Sequence, residues 1–236
     1  MCRKRVEGLD IFRGLALLLM MCYHFTYDLN HFNYIDVNMN HSLPFLLSRY
    51  TIMTMFLLSV GISLALVHSQ QIRWKSIQKR MLLLGGASII VSIGTFVVFP
   101  HSWVYFGILH FILVASLVGL LFLNYPKTSL ATALLILIAS ATNTLTMQPL
   151  FQYLQPLLQL PHYTEDLVPF IPWFAVVLLG MVLVAYQLHK KIFTHALFST
   201  NSRLNRGLKL MGRHSLFIYL IHQPIFFGGF MLFSTL

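Results

Sequence analysis

Seven apolar runs alternate with polar segments along the chain, at residues 9–29, 46–67, 81–99, 104–123, 130–147, 170–188 and 216–232. Each is close to the roughly 20 residues that a helix needs to cross the hydrocarbon layer of a bilayer. The pattern therefore predicts an all-α integral membrane protein, a bundle of about seven transmembrane helices forming a single domain over residues 1–236. Two polar segments are longer than the rest, 148–169 and 189–213. Composition sharpens this picture. Of 236 residues, 57% are hydrophobic and 9% charged, against roughly 25% charged in an ordinary soluble domain. A soluble enzyme, a disordered chain and a disulfide scaffold are excluded on these grounds. The two cysteines, Cys2 and Cys22, are poorly placed to pair and carry no redox signal.

The formal net charge of +10 first suggests a nucleic-acid partner, but the positions of the cations point elsewhere. Fourteen of the 16 Lys and Arg residues fall on one side of the predicted bundle. They are Arg3, Lys4 and Arg5 before the first run, Arg73, Lys75, Lys79 and Arg80 after the second, Lys127 after the fourth, and the six from Lys190 to Arg213 after the sixth. The alternate segments carry none, the asymmetry expected when the basic side is cytoplasmic. The N-terminus is thus expected in the cytoplasm and the C-terminus outside, with the surplus charge facing anionic headgroups and no nucleic-acid partner. The first run follows a basic stretch, as in a signal peptide. Asp10 and Arg13 interrupt its start and no small-residue cleavage site follows, so it is expected to be a retained helix. No internal repeat suggests an inverted-repeat transporter.

The remaining two cations, Arg13 and Arg49, lie inside apolar runs, where ionisable groups are costly and generally functional. The first run also holds Asp10, His24 and Asp28. Asp10 and Arg13 are spaced to pair, and His24 and Asp28, four apart, share a helix face. A carboxylate beside an imidazole suits a general base. Arg49 and His110 fall near the outer ends of their runs, and His222 in the middle of the last, before Gln223 and Pro224. Plainer roles stand beside these. Arg13 can simply neutralise Asp10, Arg49 can snorkel to the headgroups, and His110 and His222 can be interhelical hydrogen-bond partners. His24, Asp28 and His31 have a spacing that metal ligands use, but no fourth ligand is indicated and no metal is expected. His41 and His101 are read as solvated loop residues. Gly61, Gly85, Gly86 and Gly94 are expected to permit close helix packing. The segment containing Pro149, Pro156 and Pro161 is expected along the outer interface as a lid.

The opening stretch RVEGLDIFRGLALLLMMCYHFTYDL resembles the first helix of membrane-bound acyltransferases, where an Arg is followed after ten residues by a His, here Arg13 and His24. It is also similar to the start of heparan-alpha-glucosaminide N-acetyltransferases and their bacterial relatives, through Asp10, Arg13 and Gly14. FLLSVGISLAL (56–66), YFGILHFI (105–112) and LMGRHSLFIYLIHQP (210–224) look like later motifs of a compact bacterial branch of that family. The resemblance implies a bacterial inner-membrane enzyme that takes an acetyl or other short acyl group from cytoplasmic acyl-CoA. The group passes to an extracytoplasmic glycan hydroxyl or amine.

Such chemistry needs a base at the nucleophile and positive charge near the developing oxyanion. His24 with Asp28 fits the first requirement and Arg49 or His110 the second. Asp10, Arg13 and His222 are the candidate acyl-CoA-binding residues. A covalent acyl-His24 intermediate is the other route. A small proton-coupled or anion transporter, an inactive assembly partner and a homo-oligomer remain open alternatives.

Overall fold

The computed structural model describes residues 5–39, 41–68, 70–195, 198 and 202–234. Cys2, Arg3 and Lys4 lie outside the described residues. The elements are α1 (Glu7–His31), α2 (Leu43–His68), α3 (Trp74–Val98), α4 (Ile108–Gly119) continued by a 3-10 turn (Leu120–Phe122), α5 (Pro126–Ala141), α6 (Gln148–Leu157), α7 (Phe170–Ala185), α8 (Leu188–Thr194), α9 (Arg203–Arg213) and α10 (Ser215–Ser234). No strand occurs among the described residues, only an isolated bridge between Phe106 and Leu167. Helices α1, α2, α3 and α10 are long and apolar enough to cross a membrane, and α7 with α8 would make a fifth, bent by 88°. The runs at 104–123 and 130–147 form shorter apolar helices. The chain folds as two compact units, one holding Met1–Ser59 and His189–Leu236, the other Val60–Leu188.

In the first unit α1 packs against α9 and α10. The α1–α9 contact is backbone on backbone: a Cβ at Gly14 would overlap the Leu208 carbonyl, and one at Gly212 would overlap the carbonyl of Asp10. Because residue 14 meets 208 and residue 10 meets 212, the two helices run in opposite senses along this contact. Helix α9 starts at a Ser202 cap, whose hydroxyl accepts from the Asn205 N–H at 3.1 Å. Above that contact, Leu17, Met20 and Ile52 form a buried apolar layer with Phe56, Met211, Ile218 and Tyr219 packed on it.

In the second unit, α2 approaches α7 so closely that a Cβ at Gly61 would overlap the Val177 carbonyl, as expected of that glycine. The expectation for Gly85, Gly86 and Gly94 is overturned, since a Cβ at any of them would meet nothing within 4 Å. They sit on α3 among exposed Ile89, Ile90, Ile93 and Val97, a surface suited to lipid. The fourth apolar run turns helical only at Ile108, because Val104–Gly107 is extended and tied to residues 164–168. The Ser102 hydroxyl donates to Glu165 (2.7 Å), the Val168 N–H to the Phe106 carbonyl (3.2 Å), and Asp166 accepts the first N–H of α4, from Ile108 (3.0 Å). Helix α5 stops at Ala141 rather than continuing to Met147. There Thr142 and Thr144 turn their hydroxyls onto the Ile138 and Ala139 carbonyls, and Asn143 takes a left-handed φ of 55°.

Candidate functional site

Along α1 the polar residues form one stripe. At about 100° per residue, Asp10, Arg13, Leu17, His24, Asp28 and His31 fall within roughly 60° of arc. The stripe is polar at both ends and apolar at Leu17 and neighbouring Met20, and its two ends are built differently.

At the N-terminal end, buried Asp10 is held by three guanidinium groups. Arg5 donates twice, from Nε at 2.6 Å and Nη2 at 3.0 Å, and Arg13 and Arg213 each approach to 3.7 Å. The carboxylate hydrogen bond holds the Arg5 guanidinium above its ordinary pKa. Exposed Glu7 pairs with Lys209 and lies 3.9 Å from Arg213. Four cations thus share two carboxylates, leaving a local excess of positive charge. The pairing of Asp10 with Arg13 is as the spacing predicts. Arg5, Lys209 and Arg213 were legible only as loop cations; Lys209 and Arg213 reach Glu7 and Asp10 because α9 folds back against α1, while Arg5 reaches Asp10 from the segment just before α1.

Toward the other end, His24, Asp28, His222 and Gln223 come together where α1 meets α10. The His24 and His222 rings lie edge to face, with centroids 5.1 Å apart. Asp28 is fully buried and accepts a hydrogen bond from the Gln223 amide on Oδ1 at 2.8 Å. Its Oδ2 has no partner among the described residues, nor have Gln223 Oε1 and His222 Nε2. Asp28 therefore engages Gln223, and no hydrogen bond joins it to His24. The Nδ1 of His222 lies 2.7 Å from the Tyr219 carbonyl. A carbonyl can only accept, so Nδ1 carries the hydrogen and Nε2 presents a lone pair. Gln223 is the member that sequence reasoning passed over; its only signal was its position next to His222. Buried polar atoms without partners are uncommon, and each costs on the order of 1–3 kcal/mol. Three at one contact make this the least satisfied polar cluster among the described residues.

The other candidates are dispersed. Arg49 lies over the Tyr50 ring at 5.6 Å and makes no ion pair among the described residues. His110 belongs to the second unit. Its Nε2 is 3.2 Å from the Ser92 hydroxyl, which itself donates to the Val104 carbonyl at 2.7 Å, so His110 is the donor and ties α4 to α3. His31 stacks on Tyr27 and packs against Phe227. No group of three His, Cys, Asp or Glu residues among those described is placed to hold a metal.

Apolar helices of membrane-crossing length, with a buried imidazole and carboxylate cluster between two of them, define an integral membrane protein with polar chemistry inside its helical bundle. The chain belongs to the family of the heparan-alpha-glucosaminide N-acetyltransferase catalytic region, whose family model matches residues 5–224. The match covers both the Asp10 cluster and the His24–His222 contact, and it places the chain among membrane acyltransferases in general. No curated protein and no solved structure matches it.

Proposed function

We propose that this chain transfers an acetyl or other short acyl group from cytoplasmic acyl-CoA, with acetyl-CoA as the donor, to a hydroxyl or amine of an extracytoplasmic glycan. The observation that carries the reading is the half-satisfied cluster of His24, Asp28, His222 and Gln223 on the stripe that also bears the Arg13 cluster. The N-terminal end of α1 faces the cytoplasm, as the cation asymmetry argues, in a bundle of seven spans in a bacterial inner membrane.

In this reading the excess cations around Asp10 and Arg13 attract the CoA phosphates. Arg13 and His24 are eleven residues apart, about 16 Å along the helix, a reach suited to an extended pantetheine arm. His24 removes the proton from the acceptor as its oxygen or nitrogen bonds to the acyl carbon. The carbon–sulfur bond then breaks, and the thiolate leaves and takes up a proton as free CoA. Asp28 acts through its charge, stabilising the imidazolium from the same helix face while Gln223 holds it in place. His110 is given no chemical step, since its hydrogen bond to Ser92 accounts for it. His222, a CoA-side contact in the sequence reading, is the second seat for the proton because its Nε2 lone pair is unpartnered among the described residues.

The test is acetyl-CoA turnover by the purified protein in lipid nanodiscs. His24→Ala should lose about 10²- to 10⁴-fold, the usual contribution of a general base. Full turnover in that variant removes the base assignment, and loss in His222→Ala alone transfers the role to His222. Proton or anion flux without CoA binding would instead establish transport.

A further inference from the structure

The second unit contains a cleft of about 450 Å³ that the acyl-transfer chemistry does not use. Its size falls in the range of small-molecule sites, about 300–1,000 Å³. One wall is α6, a helix without a charged residue. Gln148, Phe151, Gln152 and Gln155 line the cleft and occupy an arc of roughly 100°. The opposite arc holds Leu150, Tyr153 and Leu157, all exposed, as fits a helix lying at the edge of a bilayer with its apolar side toward lipid. The facing wall includes Tyr105, whose ring centroid is 6.4 Å from that of Phe151. Tyr105 sits in the extended segment that Glu165 and Asp166 pin in place, so this wall is built rather than incidental. Gln155 Nε2 lies 2.8 Å from His162 Nδ1, which ties the His162 ring to α6.

We propose that this cleft binds a neutral carbohydrate. The lining has the chemistry for it. Each glutamine amide offers donors and an acceptor, matching hydroxyls that both give and take hydrogen bonds. Tyr105 and Phe151 offer ring surface to the C–H face of a sugar. No Lys, Arg, Asp or Glu among the described residues lines the cleft, so a sulfate or phosphate entering it would lose water without gaining a counter-charge. The cleft thus selects uncharged sugars over sulfated ones.

Saturation-transfer NMR on the whole chain in phosphatidylcholine nanodiscs, free of glycoside detergent and of acyl donor, tests this. The probes are maltotriose, the dimer of N-acetylglucosamine, and glucosamine 6-sulfate. At least one neutral oligosaccharide should receive saturation. The signal should fall at least fivefold in Gln152→Leu and in Phe151→Leu and stay unchanged in Tyr153→Leu, on the opposite face of α6. Failure of both neutral probes, stronger binding of the sulfated sugar, or an undiminished signal in Gln152→Leu overturns the proposal. Because no donor is present, sugar binding by a chain that turns over no acetyl-CoA would sink the transfer reading and leave the cleft standing. Turnover with sugar binding indifferent to the cleft variants would do the reverse.

Discussion

The two ends of the polar stripe on α1 hold similar residues and treat them oppositely. At Asp10 every carboxylate oxygen meets a guanidinium, and Gly14 and Gly212 bring the α9 backbone against α1 to supply one of them. At Asp28 an equally buried carboxylate receives one hydrogen bond from a neutral amide, beside an imidazole nitrogen with no partner among the described residues. Burial of a charge is tolerated when it is paired, and the first end is paired beyond neutrality. The second end is not, so pairing does not account for its arrangement. The lesson is that an ionisable residue inside a span is informative through its partners, and that equal burial can mark opposite roles.

Four substitutions would break or sharpen this contrast. The largest expected effect is on turnover: His24→Ala should cost about 10²- to 10⁴-fold in kcat while thermal unfolding in detergent moves by only a few degrees. Next, Gly212→Val forces a side chain into the Asp10 carbonyl and should destabilise by about 3 kcal/mol or more, seen as a fall in Tm and in the yield of folded protein. Asp10→Asn leaves Arg5, Arg13 and Arg213 without their shared anion. It should cost roughly 1–3 kcal/mol and weaken acetyl-CoA affinity little, since the phosphates face the cations; a large loss of affinity with intact Tm would assign Asp10 a direct binding role. The smallest effect has the opposite sign. In Asp28→Asn the new amide can accept from Gln223 and donate to its unpartnered oxygen, so stability should rise by about 1 kcal/mol while kcat falls. If Asp28→Asn destabilises, the carboxylate is structural and the contrast between the two ends disappears.

The helical elements were largely legible because hydrophobic length is a local property. All seven apolar runs contain helices, and the first, second, third and last match α1, α2, α3 and α10 closely. Where the reading stopped short, the deciding contacts join distant residues. The start of α4 is set by Asp166, and the bare surface around Gly86 depends on what α3 packs against. The same limit holds for the site. The one-face spacing of His24 and Asp28 was readable from the 3.6-residue period, but the capture of Asp28 by Gln223 required α10 to lie beside α1. The polar segment 148–169, read as a lid, contains a helix whose uncharged amide face lines a cleft. Hydropathy alone does not show that face, since glutamines spaced three and four apart are as common in solvated turns.

The layer of Leu17, Met20 and Ile52 between the two polar ends has a bearing on energy conservation. A membrane that stores a proton gradient loses about 2.3 kcal/mol for each charge that slips through at 100 mV. An oily partition across the stripe denies water a continuous file from the arginine cluster to the histidines. A neutral, flexible chain can be threaded past such a partition by moving side chains aside, whereas a hydrated ion finds no footing there.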